Sequence, residues 1–391
     1  MLKILNACTF ELNDSEKAVQ DIHNQLDLKN NRLKNSVALL FCHIKFIETG
    51  MSEIISKSLP FDVLGCSSQS FAMSGTPVLS GEIMLTITVL TGDDVEFFTG
   101  LSEPLCKENA ENNITSMYEK TVSSFGAEPS LIFVFLPMML DLTCDVLTGA
   151  LDRACGGIPV FGSVALDIDT GIRNPQTIYQ ENSYSDRASL LLIKGPVKPK
   201  FFSILFPGKT VFFDDAVVTA AEGNSIISIN YEPAVSFVEK LGFMGSGGFS
   251  LAIPLLIEEP DGTGLIPVIL HGTEGDTLLC SRQIETGVTL RVGMVTRDDV
   301  LESMNTLIQN IKKDGTGLPE ETGLIIFSCA LRIFILEGSH VAETELLQKE
   351  LGNFSVPYLY ICSGGEICPK LTASGNMVNG LYQYALVACL L

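Results

Sequence analysis

The sequence predicts an α/β protein of two mixed-sheet domains, built from three strand–helix–strand–strand repeats plus an antiparallel strand-rich middle segment. Three observations carry that prediction. One pattern of apolar run, amphipathic helix and glycine- or serine-bearing turn recurs three times along the 391 residues. Hydrophobic residues make up 46% and charged ones 18%, enough apolar material for more than one core. Between the second and third recurrences lies a stretch of short strand-like segments punctuated by Gly and Asp.

The first repeat opens on the apolar strand Val37–Cys42, runs through a helix near Met51–Leu59, and reaches L-P-F-D-V-L-G-C-S-S (Leu59–Ser68) before the strand Ile83–Leu90. The second has Leu131–Leu136, a helix near Cys144–Cys155, I-P-V-F-G-S (Ile158–Ser163) and Ala188–Ile193. The third has Leu324–Cys329, a helix near Val341–Leu351, V-P-Y-L-Y-I-C-S-G-G-E (Val356–Glu366) and Tyr382–Leu390. Met51, Ile54, Ile55 and Leu59 share one helical face, as do Val146, Leu147, Ala150, Leu151 and Ala154. The unbroken apolar run Leu131–Leu136 predicts a strand covered on both faces. Ahead of the first repeat, Ile4–Phe10 reads as a strand, and Asn13 or Asp14 is placed to cap a helix carrying Val19, Ile22 and Leu26. Asn109–Phe125 is a further amphipathic helix.

Lys194-Gly-Pro-Val-Lys-Pro-Lys200 is the best linker in the chain, so the boundary is placed near residue 198, with domains 1–198 and 199–391. Beyond it, strands are expected at Val211–Phe213, Val217–Ala221, Ile226–Ile229, Ile253–Ile257, Ile266–His271, Leu278–Arg282 and Leu290–Val295, with helices at Glu232–Leu241 and Arg297–Lys312.

Lys+Arg 25 against Asp+Glu 46 gives a net charge of −21, which argues against a nucleic-acid surface or an anionic membrane surface as partner. No export signal opens the sequence and no apolar run is long enough to span a bilayer, so a cytoplasmic protein is expected. The eleven cysteines lie mostly within apolar runs and read as buried thiols. There is no C-x-x-C pair, and four histidines limit metal and acid–base chemistry. Glu48, Asp141, Asp145, Asp167 and Asp169 follow strands without ligand spacing and read as solvated acids. Met244-Gly-Ser-Gly-Gly248 and Asp261-Gly-Thr-Gly264 are glycine-rich but lack the strand and helix of a nucleotide fingerprint.

The three turns fall at the same end of their strands, where α/β proteins usually bind ligands. A binding site is expected from Gly65, Cys66 and Ser67, from Gly162 and Ser163, from Ser328, Cys329 and Arg332, and from Cys362, Gly364, Gly365 and Glu366. In this reading glycine amides and Arg332 neutralise a ligand carboxylate while Glu366 receives an ammonium group. Arg332→Ala should then remove a ligand response without unfolding the protein. The bland counterparts are an Arg332 ion pair with one of the many acids, and a tight turn bearing a surface carboxylate. A thiol nucleophile at Cys66, Cys329 or Cys362 would need a base that no sequence neighbour supplies.

G-C-S-S (Gly65–Ser68), P-V-F-G-S-V-A-L-D (Pro159–Asp167), Q-T (Gln176–Thr177), T-A-A-E-G-N-S-I-I-S-I (Thr219–Ile229), F-S-C-A-L-R (Phe327–Arg332) and G-E-I-C-P (Gly365–Pro369) together resemble the FIST proteins, with an N-terminal and a C-terminal FIST region. Leu331 stands where the family tends to have a small residue, and Gln69-Ser70 where a Gly-Glu pair is common. The resemblance implies a non-catalytic sensory module for an amino acid or related small carboxylate. It implies signalling to a histidine kinase, chemoreceptor or cyclic-dinucleotide enzyme. Because the third repeat runs to Leu391, that partner is expected to be a separate protein. Two alternatives stand beside it: a thiol-dependent enzyme, and a haem-binding nitric-oxide sensor using His43, His271 or His340.

Overall fold

The computed structural model describes residues 2–76, 83–139, 141–168, 174–242, 244–245, 248–259, 264–314, 323–337, 341–352 and 356–391. Helices and mixed sheets together make an α/β architecture in which three sheets surround one shared centre.

The three sheets repeat one strand order. The first runs Leu2–Thr9, Leu85–Gly92, Asn35–Cys42, Val63–Ser67 and Thr177–Tyr179, with Asn182–Tyr184 at its margin. The second runs Glu96–Leu101, Ser189–Lys194, Leu131–Leu136, Val160–Val164 and Glu366–Leu371, with Met377–Tyr382 outermost. The third runs Lys200–Ile204, Leu386–Leu390, Leu324–Cys329, Tyr358–Ser363 and Gln69–Met73. In each, one parallel pair lies at the middle (Leu40 opposite Gly65, Val134 opposite Gly162, Ser328 opposite Cys362).

The fifth strand of every sheet comes from another repeat. Gln69–Met73 leaves the first repeat for the third sheet, Thr177–Tyr179 leaves the second for the first, and Glu366–Leu371 leaves the third for the second. Side chains pin the exchange. Asn379, on the hairpin after Glu366–Leu371, accepts from Val160 N at 2.7 Å and donates to Asp152 at 2.8 Å, so its side chain binds the third-repeat hairpin to a strand and a helix of the second repeat.

Alternation along the strands explains the layering. Val37, Leu39 and Phe41, with Leu131, Phe133 and Phe135 and with Ile325 and Phe327, point to the common centre. There Phe41 meets Phe135 at 5.3 Å and Phe327 at 5.8 Å between ring centroids, one ring from each sheet. Each such side chain contributes about 1.5–3 kcal/mol on burial. The alternate residues face outward onto helix pairs. Ala38 and Leu40 pack with Ser15–Leu26 and Met51–Ser58. Ile132 and Val134 pack with Ala110–Phe125 and Cys144–Cys155. Leu324 and Ile326 pack with Arg297–Asp314 and Val341–Leu351. The repeat is therefore longer than the strand–helix–strand–strand read from sequence, since each also owns a leading strand and helix. Asp14 caps the first of these helices by accepting from Lys17 N at 3.0 Å.

The middle segment is an antiparallel sheet of eight strands, in which Lys209–Glu222 pairs with Thr289–Met294 and Ser225–Ile229. Val211–Phe213 and Val217–Ala221, expected as two strands, belong to that one long strand. Two outer strands, Leu265–Val268 and Leu270–Glu274, are separated only by Ile269, so the sheet curls round its own core, into which Ala234 and Val238 of the helix Ala234–Lys240 are packed. This unit sits between the third repeat's leading strand, Lys200–Ile204, and its first helix, Arg297–Asp314. Tyr382–Leu390, expected as one strand, is two, Met377–Tyr382 and Leu386–Leu390, broken where Tyr384 adopts φ 60°. Residue 198 lies between Ser189–Lys194 and Lys200–Ile204. No helix of the described residues is long and apolar enough to cross a membrane.

Candidate functional site

The turns after the parallel pairs meet one another, and they are stitched in the same cyclic sense as the strands. Leu166 N donates to Ser67 O at 2.9 Å, Gly364 N donates to Val164 O at 3.0 Å, and the Ser68 hydroxyl donates to the Cys362 carbonyl. Gly65 and Gly162 owe their identity to this packing. A Cβ on Gly65 would stand 1.8 Å from Leu40 O, and one on Gly162 2.0 Å from Val134 O, so no side chain fits against the neighbouring strand. They are close-approach glycines, not ligand-facing ones.

Ser163 and Ser363 join hydroxyl to hydroxyl at 2.8 Å, with the Cys66 thiol beside Ser163. Ser363 was missed in the sequence. It lies opposite Cys329, one residue beyond the Ser328–Cys362 pair, and the repeat alignment around Ser163 was the signal that could have found it. The expected anion cradle of Gly364 and Gly365 is not available. Gly364 N is held by Val164 O, and Gly365 N donates to Ser363 Oγ at 3.2 Å while Ser363 Oγ donates to Gly365 O at 2.7 Å. Ser67 is committed as well, accepting from Gln176 N at 2.9 Å.

Arg332 is likewise not a free clamp. It is fully buried at the start of the short helix Ala330–Ile335 and pairs with Glu343 of Val341–Leu351, through Nε at 3.0 Å and Nη2 at 2.6 Å to the same oxygen. Nη2 also donates to Ser303 Oγ at 2.8 Å and Val300 O at 3.1 Å, and Nη1 to Tyr384 O at 3.2 Å. Glu343 takes its remaining bonds from Tyr360 OH at 3.2 Å and Ser328 Oγ at 3.4 Å. Burial by itself would lower the guanidinium; Glu343 outweighs it and holds Arg332 above its ordinary range. The arginine clamp expected for a ligand carboxylate is thus an internal ion pair. Glu343 escaped sequence reading because a helical Glu gives no hint that it is wholly enclosed.

Glu366 is the odd member. It is fully buried, and neither carboxylate oxygen has a hydrogen bond of ordinary geometry among the described residues. The Cys329 thiol and Ser363 hydroxyl lie beside it without closing one. Burial drives this carboxyl well above the usual range, against an opposing pull from Arg332. The thiols alongside behave in the same way. Burial raises Cys66 to about 12, and raises Cys329 and Cys362 well above the ordinary thiol, with Glu366 adding to both of the latter. Held as thiols, they lack the depressed pKa of a nucleophile.

His43 is buried and accepts from Lys45 N at 3.3 Å, His271 lies on the exposed strand Leu270–Glu274, and His340 is outside the described residues. Asp169 and much of the two glycine-rich stretches, at 246–247 and 261–263, also lie outside them. Among the described residues no three His, Cys, Asp or Glu side chains group as around a metal ion.

Three exchanged repeats with a closed polar cluster at their strand ends, and a curled sheet set into the third, define a multi-sheet α/β protein. Its family follows from sequence comparison: the FIST N domain model matches residues 36–232 and the FIST C domain model matches residues 242–369. The chain belongs to the FIST family, a family of sensory domains. No curated protein matches it in sequence. Among solved structures it is similar to cyanuric acid hydrolase from A. caulinodans, at 8% identity and a TM-score of 0.37, over 100% of this chain and 99% of the other.

Proposed function

We propose that this chain is the ligand-binding part of a signalling system, taking a small amino acid or a related small molecule at the strand-end cluster. The single observation that carries the reading is Glu366, a fully buried carboxyl whose oxygens make no hydrogen bond of ordinary geometry among the described residues, beside Ser363 and Cys329. A group left in that condition costs about 1–3 kcal/mol, which a ligand donor would recover. The amine end of the ligand is the end this site addresses, since Arg332 and the glycine amides are already engaged.

A route outward supports a signalling role. Arg332, whose charge acts on Glu366, holds the Tyr384 carbonyl, and Tyr384 OH donates to Leu251 O of the curled-sheet unit at 2.8 Å. Ser281 Oγ reaches Gln383 beside it at 2.6 Å. A ligand that changes the charge at Glu366 changes the field on a chain of contacts ending in that unit, which is the surface offered to a signalling partner.

The test is a thermal-shift screen of the full chain against amino acids, amines, organic acids and haem, on wild type and Glu366→Gln. At least one compound should raise the wild-type melting temperature and fail to raise that of Glu366→Gln. Equal shifts in both proteins would remove Glu366 from the site, and silence across the panel would remove the small-ligand reading.

A further inference from the structure

The curled-sheet unit carries its own core. Its buried apolar residues, from Ala216 to Val292, cluster among themselves and include none from the second repeat. Two connectors, 205–208 and 295–296, tie the unit to the third repeat, and they run side by side. Lys209 lies opposite Met294, and a Cβ on Gly208 would stand 2.4 Å from Met294 O. Next to them is a small apolar joint of Ile269, Val295, Val300, Leu336 and Tyr384. A body with a separate core, held by two adjacent connectors, is built to turn as one piece. Toward the second repeat its hydrogen bonds are polar contacts at the start of the helix Cys144–Cys155. Gln283 N donates to Asp145 Oδ2 at 2.9 Å, and Gln283 Nε2 to Thr143 Oγ1 at 3.0 Å.

That seam is incomplete. Asp145, expected as a solvated acid, keeps its other oxygen, Oδ1, buried and without a hydrogen bond. Arg282, the residue before Gln283, is partly buried and makes no hydrogen bond or ion pair among the described residues. Burial lowers its guanidinium against pulls from Asp145, Tyr382 and Glu259, so the two unmatched groups already act on each other across the seam. Guanidinium and carboxylate form a strong two-bonded pair when they meet, and half-desolvated groups left apart forgo it. Because Oδ1 is enclosed, Arg282 gains it through a shift of the seam. We infer that the curled-sheet unit is a hinged arm with a second position, turned about 205–208 and 295–296, in which Arg282 closes onto Asp145 of the second repeat. Neither Glu366 nor any bound molecule enters this inference, so it stands or falls apart from the small-ligand reading. A rigid arm with two positions offers a partner protein two different surfaces.

Cys106, the one cysteine that is not buried, precedes the helix Ala110–Phe125 of the second repeat, and Glu274 is exposed on an outer strand of the arm. Nitroxide labels on Cys106 and on Glu274→Cys, read by pulsed electron spin resonance on the full chain, should give two distances. Arg282→Gln and Asp145→Asn should each cut the population of the same one by about threefold or more. The asparagine keeps an acceptor for Gln283 N, so the existing contact survives while the charge is lost. The double variant should cut that population no further than either single change, because both remove one pair. The count of distances is read without either change, so it stands even where a variant folds poorly. A single distance there, proportions that ignore Arg282 and Asp145, or losses that simply add in the double variant would each overturn the inference.

Discussion

Replacing Arg332 by alanine tests the reassignment of this residue from ligand clamp to internal counter-ion. The side chain is fully buried and supplies two bonds to one Glu343 oxygen, one to Ser303 Oγ and one each to the Val300 and Tyr384 carbonyls. Its removal strands the Glu343 charge, which keeps only Tyr360 OH and the long contact from Ser328. Stranding one partner of a buried pair costs about 3–5 kcal/mol. The two carbonyls left without this donor add about 1 kcal/mol each. Against a total stability of about 5–15 kcal/mol, the variant should be marginal. Urea unfolding of the full chain, followed by far-UV circular dichroism, should show the midpoint falling by that amount. The double variant Arg332→Met/Glu343→Leu should cost clearly less than the sum of its single changes, because neither charge is then left alone. An Arg332→Ala protein within about 1 kcal/mol of wild type, at unchanged slope, would refute the reasoning. It would also restore the expectation that this change silences a ligand response without unfolding.

Gly162→Ala should be more damaging than its size suggests, costing about 3 kcal/mol or more, because the new Cβ meets the Val134 carbonyl; a soluble variant melting with the wild type would count against the close approach. Iodoacetamide near neutral pH should label Cys106, the one cysteine that is not buried, ahead of the other ten, with all eleven reacting in denaturant; rapid native labelling of Cys66, Cys329 or Cys362 by peptide mapping would revive a thiol mechanism. Glu366 gives a pH signature whose sign is opposite to that of a salt-bridged acid. Its folded pKa lies above the unfolded value, so the folded chain holds a proton that the unfolded chain gives up. Stability should therefore fall as pH rises from about 4.3, by about 1.4 kcal/mol per pH unit until the folded group ionises. The wild type minus Glu366→Gln difference, measured by urea unfolding between about pH 5 and about pH 7, should carry that slope; a flat difference would mean that Glu366 is not protonated in the fold.

Local signals were the legible ones. Leu131–Leu136 is a strand buried on both faces, as its unbroken apolar run implied, and helices lie at Cys144–Cys155 and Val341–Leu351, where the repeat placed them. The turns at Gly65, Gly162 and Ser363 do gather at one place, which the repeat pattern anticipated. Partnership across long separations was not legible. Nothing in Gln69–Met73 announces that it pairs with Tyr358–Ser363, since strand periodicity records which face is buried and not which neighbour buries it. Arg332 looked available for the same reason: its counter-ion sits eleven residues away on a helix whose buried polar face, Glu343 and Thr344, resembles an ordinary solvated one. Tyr384 broke an apparently continuous strand through a positive φ that a tyrosine seldom adopts, so its sequence gave no warning.

Lending one strand around the ring leaves no repeat able to finish its own sheet. The Ser68 hydroxyl and the Cys362 carbonyl it grasps are 294 positions apart, so assembly must wait until both ends of the polypeptide exist. Such long-range closure makes for slow, all-or-nothing folding. A fragment cut anywhere between repeats would bare a hydrogen-bonding edge in two places at once: on the sheet that lost its guest, and on the guest strand with nowhere to go.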